Sequence, residues 1–203
     1  MVTIKDENLI GLYAGPGAEL AKDVEIILRK NHVPHQMIDA NDVQHGILKG
    51  FKLLIMPGGY TARYIPGLKQ KGCEAIKNFL FKENGRYIGI CAGAYIASNP
   101  KLGISKSKMV RKSGIFNCQI EISDSLHPIF KGQKSSSILV YYQNGPHIKI
   151  HRDEKSLALY SDGSSSVIEI RKDIIALIFS WHPEKLPHTA PILLNSLDYL
   201  LEF

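Results

Sequence analysis

Short apolar runs alternate with helical stripes through the first half of the chain. That alternation restricts the fold more than any other feature. Leu9 to Tyr13 reads as a buried strand, ended by Gly15-Pro16-Gly17. A helix follows with Leu20, Val24, Ile27 and Leu28 at the i, i+4, i+7, i+8 spacing of one face. Asn31 stands near its end and Pro34 just beyond. Gln36 to Ile38 reads as a second strand and Leu53 to Met56 as a third, stopped by Pro57-Gly58-Gly59. Cys73, Ile76, Phe79 and Leu80 form the stripe of the next helix, capped by Asn84-Gly85. Tyr87 to Ile90 is a further strand. Strand and helix in alternation predict a parallel sheet with right-handed crossovers and helices on both faces.

The texture changes after about residue 103. Ile115 to Ile122, Ile138 to Tyr142, Leu157 to Tyr160 and Val167 to Ile170 read as strands, with Asp162-Gly163 as a hairpin turn. Ile174 to Phe179 is another apolar run, and a final helix carries Leu193, Leu197, Leu200 and Leu201 on one face. The expected fold class is α/β. It is a three-layer sandwich, with a mainly parallel central sheet and antiparallel additions in the C-terminal half.

One strand runs straight into Gly89-Ile90-Cys91-Ala92-Gly93. Glycines two residues either side of a central residue allow a sharp strand-to-helix turn that projects its side chain above the sheet edge. A cysteine there, at a helix N-terminus, is favoured as thiolate. A cysteine nucleophile needs a base, an orienting acceptor for that base and donors for an oxyanion. His182 directly follows an apolar strand and falls on the same sheet edge. Glu184, across a stiff Pro183, is placed to accept from the imidazole. Gly58 and Gly59, with the N–H of Ala92, are the candidate oxyanion donors. Each element alone has a bland reading as turn or core; their order along the chain is what argues for a site.

The bulk properties bound the rest. At 203 residues the chain is read as one domain, residues 1–203, with room for a substantial core. No apolar run reaches the length of a membrane span. Met1 to Glu7 lacks the basic-then-apolar layout of a signal peptide, so a cytoplasmic location is expected. Cys73, Cys91 and Cys118 form no disulfide framework and no metal clip, and the histidines show no ligand spacing, so no metal and no cofactor is expected. Cys73 and Cys118 read as structural. The net charge is +6, with its densest basic run at Lys101, Lys106, Lys108, Arg111 and Lys112. Without interleaved aromatics the run reads as a solvated loop or hairpin face, and no nucleic-acid partner is expected. Gly15-Pro16-Gly17 reads as a tight turn, since it lacks a phosphate-loop lysine.

Met56-Pro57-Gly58-Gly59, Gly89-Ile90-Cys91-Ala92-Gly93 and His182-Pro183-Glu184 together resemble the class I glutamine amidotransferase-like superfamily. Gly89 to Tyr95, Tyr141-Tyr142-Gln143-Asn144-Gly145-Pro146, Ala158 to Gly163 and the closing His182-Pro183-Glu184 narrow the resemblance to the biotin-protein ligase N-terminal domain-like family. The resemblance spans nearly the whole chain. It implies a flavodoxin-like sandwich with a Cys-His-Glu triad, and Tyr95, Tyr142 and Asn144 as pocket residues. It does not imply ligase activity: no separate ligase domain is expected within these 203 residues, which also lack a Gly-Arg-Gly-rich biotin-adenylate loop. Tyr95 stands where glutamine amidotransferases carry a glutamine, and a phenol cannot supply that amide's hydrogen bonds, which argues against glutamine as substrate. Asn144 stands where the family commonly has glycine.

Three readings follow. The first is a cysteine-dependent amidase, acyl hydrolase or transferase acting on a small acyl or amide substrate. The second is a non-catalytic module that binds a small molecule or docks on a partner protein. The third is a redox sensor using Cys91, which would have no need of His182 and Glu184.

Overall fold

Strand periodicity shows directly in how the sheet is buried. The computed structural model describes residues 9–202; the Met1–Glu7 reading lies outside them. The parallel part contains β1 (Ile10–Tyr13), β2 (Gln36–Ile38), β3 (Leu53–Met56) and β4 (Arg86–Ile90). They lie in the order β2-β1-β3-β4, and the chain's last strand, β11 (Ile175–Phe179), joins parallel to β4. Alternate residues of each strand point to opposite faces. Tyr13, Leu54, Met56, Tyr87 and Ile178 enter one core; Leu12, Leu53, Ile55, Ile88 and Phe179 enter the other. Both faces are covered, as a parallel sheet requires.

Helix α1 (Ala21–Lys30) buries Val24 and Leu28 on one face. Leu20, expected as part of its stripe, lies just before it. The closing helix α5 (Ala190–Leu201) packs Leu193, Leu197 and Leu200 on the same side, with Leu201 only partly buried. The opposite face is covered by α2 (Ala40–Gln44), α3 (Thr61–Lys82) and α4 (Ala92–Ala97). A reciprocal capping box between Asp39 and Asp42 starts α2. Helix α3 begins well before the Cys73–Leu80 stripe. Its first part is hidden in the sequence by Pro66 and Gly67, and at Lys69 (φ 55°, ψ −179°) the axis kinks. Its end matches expectation: Asn84 is left-handed and the Gly85 N–H returns to Phe79 O at 2.9 Å.

The antiparallel strands extend the same sheet instead of forming a second one. They are β5 (Lys108–Arg111), β6 (Ile115–Ile122), β7 (Ser137–Gln143), β8 (Pro146–Lys149), β9 (Lys155–Leu159) and β10 (Ser165–Ile170). The order continues β11-β10-β9-β6-β7, and β8 bridges β10 to β5. The turn at Asp162-Gly163 connects β9 and β10, with the Tyr160 N–H on Ser164 O at 2.9 Å. Among the described residues no helix is long and apolar enough to cross a membrane.

Candidate functional site

Parallel pairing brings distant strand ends to one edge. Met56 is opposite Gly89, and Ile90 is opposite Phe179. Pro57-Gly58-Gly59, Cys91 and Ser180-Trp181-His182 therefore leave the sheet side by side.

Cys91 has φ 49° and ψ −98°, a left-handed region that non-glycine residues rarely occupy. The surroundings hold it there. The Cys91 N–H donates to Phe179 O (2.9 Å), the Tyr95 N–H to Cys91 O (3.1 Å) and the Gly93 N–H to Pro57 O (3.2 Å). Buried Tyr87 adds a hydroxyl bond to Gly93 O at 2.8 Å. The glycine at 93 is required by close approach, since a Cβ there would lie 1.9 Å from Met56 O. Gly58 answers a different need. A Cβ on it would lie 2.4 Å from His182 Cε1, so only glycine lets the ring sit against this turn.

His182 is fully buried, and its Nδ1 lies 2.8 Å from Glu184 Oε1. Burial opposes the imidazolium, but the Glu184 carboxylate, helped by the Cys91 sulfur, outweighs it and pushes the His182 pKa up to about 10. Nδ1 is thus engaged, and Nε2 has no hydrogen-bond partner among the described residues. The Cys91 thiol donates to Gln143 O at 3.2 Å. The structure brings Cys91, His182 and Glu184 together, with the sulfur turned to a backbone carbonyl from the β7 end.

Cys91 and His182 open onto a cleft of about 1060 Å³, whose wall also includes Gly59, Tyr95 and Asn144. The Tyr95 phenol is pushed up to about 12 by burial and by Cys91, with Arg111 opposing. Asn144 is left-handed (φ 53°), which explains an asparagine where glycine is usual. Its side chain is committed to the wall, with Oδ1 accepting the Gly114 N–H at 2.8 Å. Tyr142 is placed differently from expectation. It is fully buried, stacked on Phe116, and its hydroxyl lies 2.7 Å from both Lys112 O and Gly145 O. It holds up the 143–145 turn and is not part of the cleft wall. Strand parity is the reason: in β7 the inward side chain is Tyr142, and Gln143 faces the cleft.

Several cleft residues were not singled out from sequence. Gln143, Glu19, Tyr60, Arg63, Lys101 and Arg111 all line it. Glu19 accepts the Tyr60 N–H at 2.7 Å and pairs with Arg63 at 3.3 Å, and the Arg63 guanidinium lies 5.4 Å from the Tyr60 ring centre. The basic run Lys101–Lys112 was the one available signal for Lys101 and Arg111, although it did not distinguish them from their neighbours.

Comparison with known proteins agrees with this architecture. The family model "Biotin-protein ligase, N terminal" matches residues 29–104, which contain the Cys91 elbow but not His182 or Glu184. No curated protein sequence matches the chain. Among solved structures, a GMP synthase-like protein of Thermoplasma acidophilum is similar, with a TM-score of 0.75 at 17% identity, covering 97% of this chain and 96% of that one. PurLQS from Thermotoga maritima is similar at a TM-score of 0.75 and 17% identity, covering 96% of this chain and 100% of that one. A glutamine amidotransferase from Thermotoga maritima follows at 0.63 and 16%, covering 97% and 85%. At these identities the likeness shows the fold. The chain thus has the glutamine amidotransferase-like fold, and its residues 29–104 match the biotin-protein ligase N-terminal family.

Proposed function

We propose that the protein is a cysteine-dependent acyl hydrolase or transferase acting on amides or esters. The observation that carries this is Cys91 held left-handed at the mouth of a cleft, beside a buried imidazole that a carboxylate favours as the cation. The Cys91 sulfur attacks the substrate carbonyl carbon. The C–N or C–O bond breaks, and His182 delivers a proton from Nε2 to the departing amine or alcohol. Water, or an acceptor nucleophile, then cleaves the thioester and returns the sulfur. Glu184 holds Nδ1 and so presents Nε2 to the reacting atoms. The N–H groups of Gly59 and Ala92 are the proposed oxyanion donors.

Alkylation of Cys91 by iodoacetamide, followed against pH in wild type and His182→Ala, tests this. If His182 serves the sulfur as its proton partner, alkylation near neutral pH is faster in wild type than in His182→Ala. Equal, ordinary thiol profiles in both proteins would refute it.

One observation favours a second reading, a ligand-binding module without turnover: the thiol is bonded to Gln143 O and not to His182 Nε2. Hydrogen bonds that serve catalysis are often unformed without substrate, so we place this reading second. It expects Cys91→Ser to bind ligand and retain biological function.

A further inference from the structure

The basic segment between Lys101 and Lys112 does not act as one solvated patch. Its members divide by partner. Lys106 pairs with Asp153 and Lys112 with Asp162, each at 3.3 Å. Lys108 is exposed and outside the cleft. Lys101 and Arg111 instead line the cleft that holds Cys91, and among the described residues neither pairs with a carboxylate. The two come from different elements: Lys101 follows α4, and Arg111 ends β5 where that strand pairs with Pro146 of β8.

Tyr95 connects them to the nucleophile. Its N–H donates to Cys91 O, its carbonyl accepts from Lys101 Nζ at 3.3 Å, and the ammonium lies 5.8 Å from its ring centre. Arg111 is close enough to act on the Tyr95 phenol. Burial lowers the Lys101 pKa, the sign of an ammonium that has lost water and not gained an anion. Among the described residues the one carboxylate on the cleft wall, Glu19, is already engaged by Arg63 and the Tyr60 N–H. The cleft therefore has a side with two cations, no counter-charge among the described residues and a nucleophile adjacent.

We propose that Lys101 and Arg111 form an anion subsite of the Cys91 cleft, which receives a carboxylate or phosphate carried by the substrate. That the anion belongs to an acyl substrate rests on the function proposed above; the anion binding itself does not. A guanidinium takes either group through paired N–H donors, and the ammonium adds a point charge.

Two measurements test this and fail independently. The first is calorimetric titration of succinate and, separately, inorganic phosphate into wild type, Lys101→Ala, Arg111→Ala and Lys108→Ala. One of the two anions is expected to bind wild type and Lys108→Ala alike. Binding should weaken on the order of fivefold with each cleft cation lost at low salt, and Lys101→Arg should retain it. Succinate alone identifies a carboxylate subsite, and phosphate alone a phosphate subsite. No binding of either, or equal loss in Lys108→Ala, overturns the proposal. The second is the rate ratio of iodoacetate to iodoacetamide at Cys91. Both reagents form the same S–C bond and release iodide, so the ratio cancels the sulfur's own reactivity. A ratio above that of 2-mercaptoethanol, falling in Lys101→Ala and Arg111→Ala, places the bound anion beside Cys91. An ordinary ratio in wild type overturns that placement even where succinate binds. Anion binding with no labelling by either reagent retains the subsite and removes the acyl-transfer reading.

Discussion

Replacing Glu184 by glutamine keeps the side chain's size and its oxygen for His182 Nδ1, and removes only the charge. In wild type the folded His182 pKa is about 10, against about 6.5 for an unfolded histidine. Because the folded value is the higher one, the stabilisation is complete below about pH 6.5 and is lost as the pH rises through about 10. Between pH 7 and 9 the folded state keeps the imidazole proton while the unfolded chain has mostly released it. The linkage slope is then close to one proton, and stability should fall by about 2–3 kcal/mol over that interval. In Glu184→Gln the attraction that outweighed burial is gone, His182 is neutral throughout, and this slope disappears. Urea unfolding of both proteins in a Cys91→Ala background, where no thiolate titrates against the imidazole, measures it at pH 7, 8 and 9. The difference between the curves cancels groups present in both, including buried His147, whose pKa is lowered by burial, and Cys73 and Cys118, whose pKa values burial raises. Parallel stability curves for the two proteins would refute the claim that Glu184 holds His182 as the cation.

Two further outcomes follow from the packing. Gly93→Ala places a methyl group 1.9 Å from Met56 O, a backbone atom that cannot rotate away; the elbow must shift, at a cost of about 1–3 kcal/mol, read as a lowered thermal midpoint together with slower Cys91 alkylation. Tyr142→Phe removes the hydroxyl shared between Lys112 O and Gly145 O and should cost about 1–2 kcal/mol in urea unfolding; succinate or phosphate binding should be nearly unchanged, and a loss of binding without a loss of stability would return Tyr142 to the ligand site.

Local signals were legible and non-local ones were not. Strands β1 to β4, β6, β7 and β9 to β11 were readable because buried strands leave apolar runs between turn residues. β5 and β8 were missed. The first is charged and half exposed, and the second opens on Gly145-Pro146, a pair that reads as a turn. The start of α3 was masked by Pro66, Gly67 and the left-handed Lys69. In the site, the contact between His182 and Glu184 spans two residues and the elbow spans five, so both can be read locally. Gln143, Arg111 and Glu19 reach the cleft from three separate segments, and no spacing rule connects them. The assignment of Tyr142 turned on a single step of strand parity, which a motif match does not resolve.

The sequence by itself determined the alternating α/β architecture, the sharp turn at Cys91 and the short reach from His182 to Glu184. These follow from side-chain periodicity, from the clearance that glycine leaves and from local chain geometry. Only the tertiary structure decided that β11, last in sequence, lies against β4, that the Cys91 thiol bonds to Gln143 O, and that Lys101 and Arg111 face the cleft while Lys106 and Lys112 pair elsewhere. Such contacts are selected by the burial of both sheet faces at once and by which counter-charges the finished fold brings within reach, and neither is written in any local stretch of the chain.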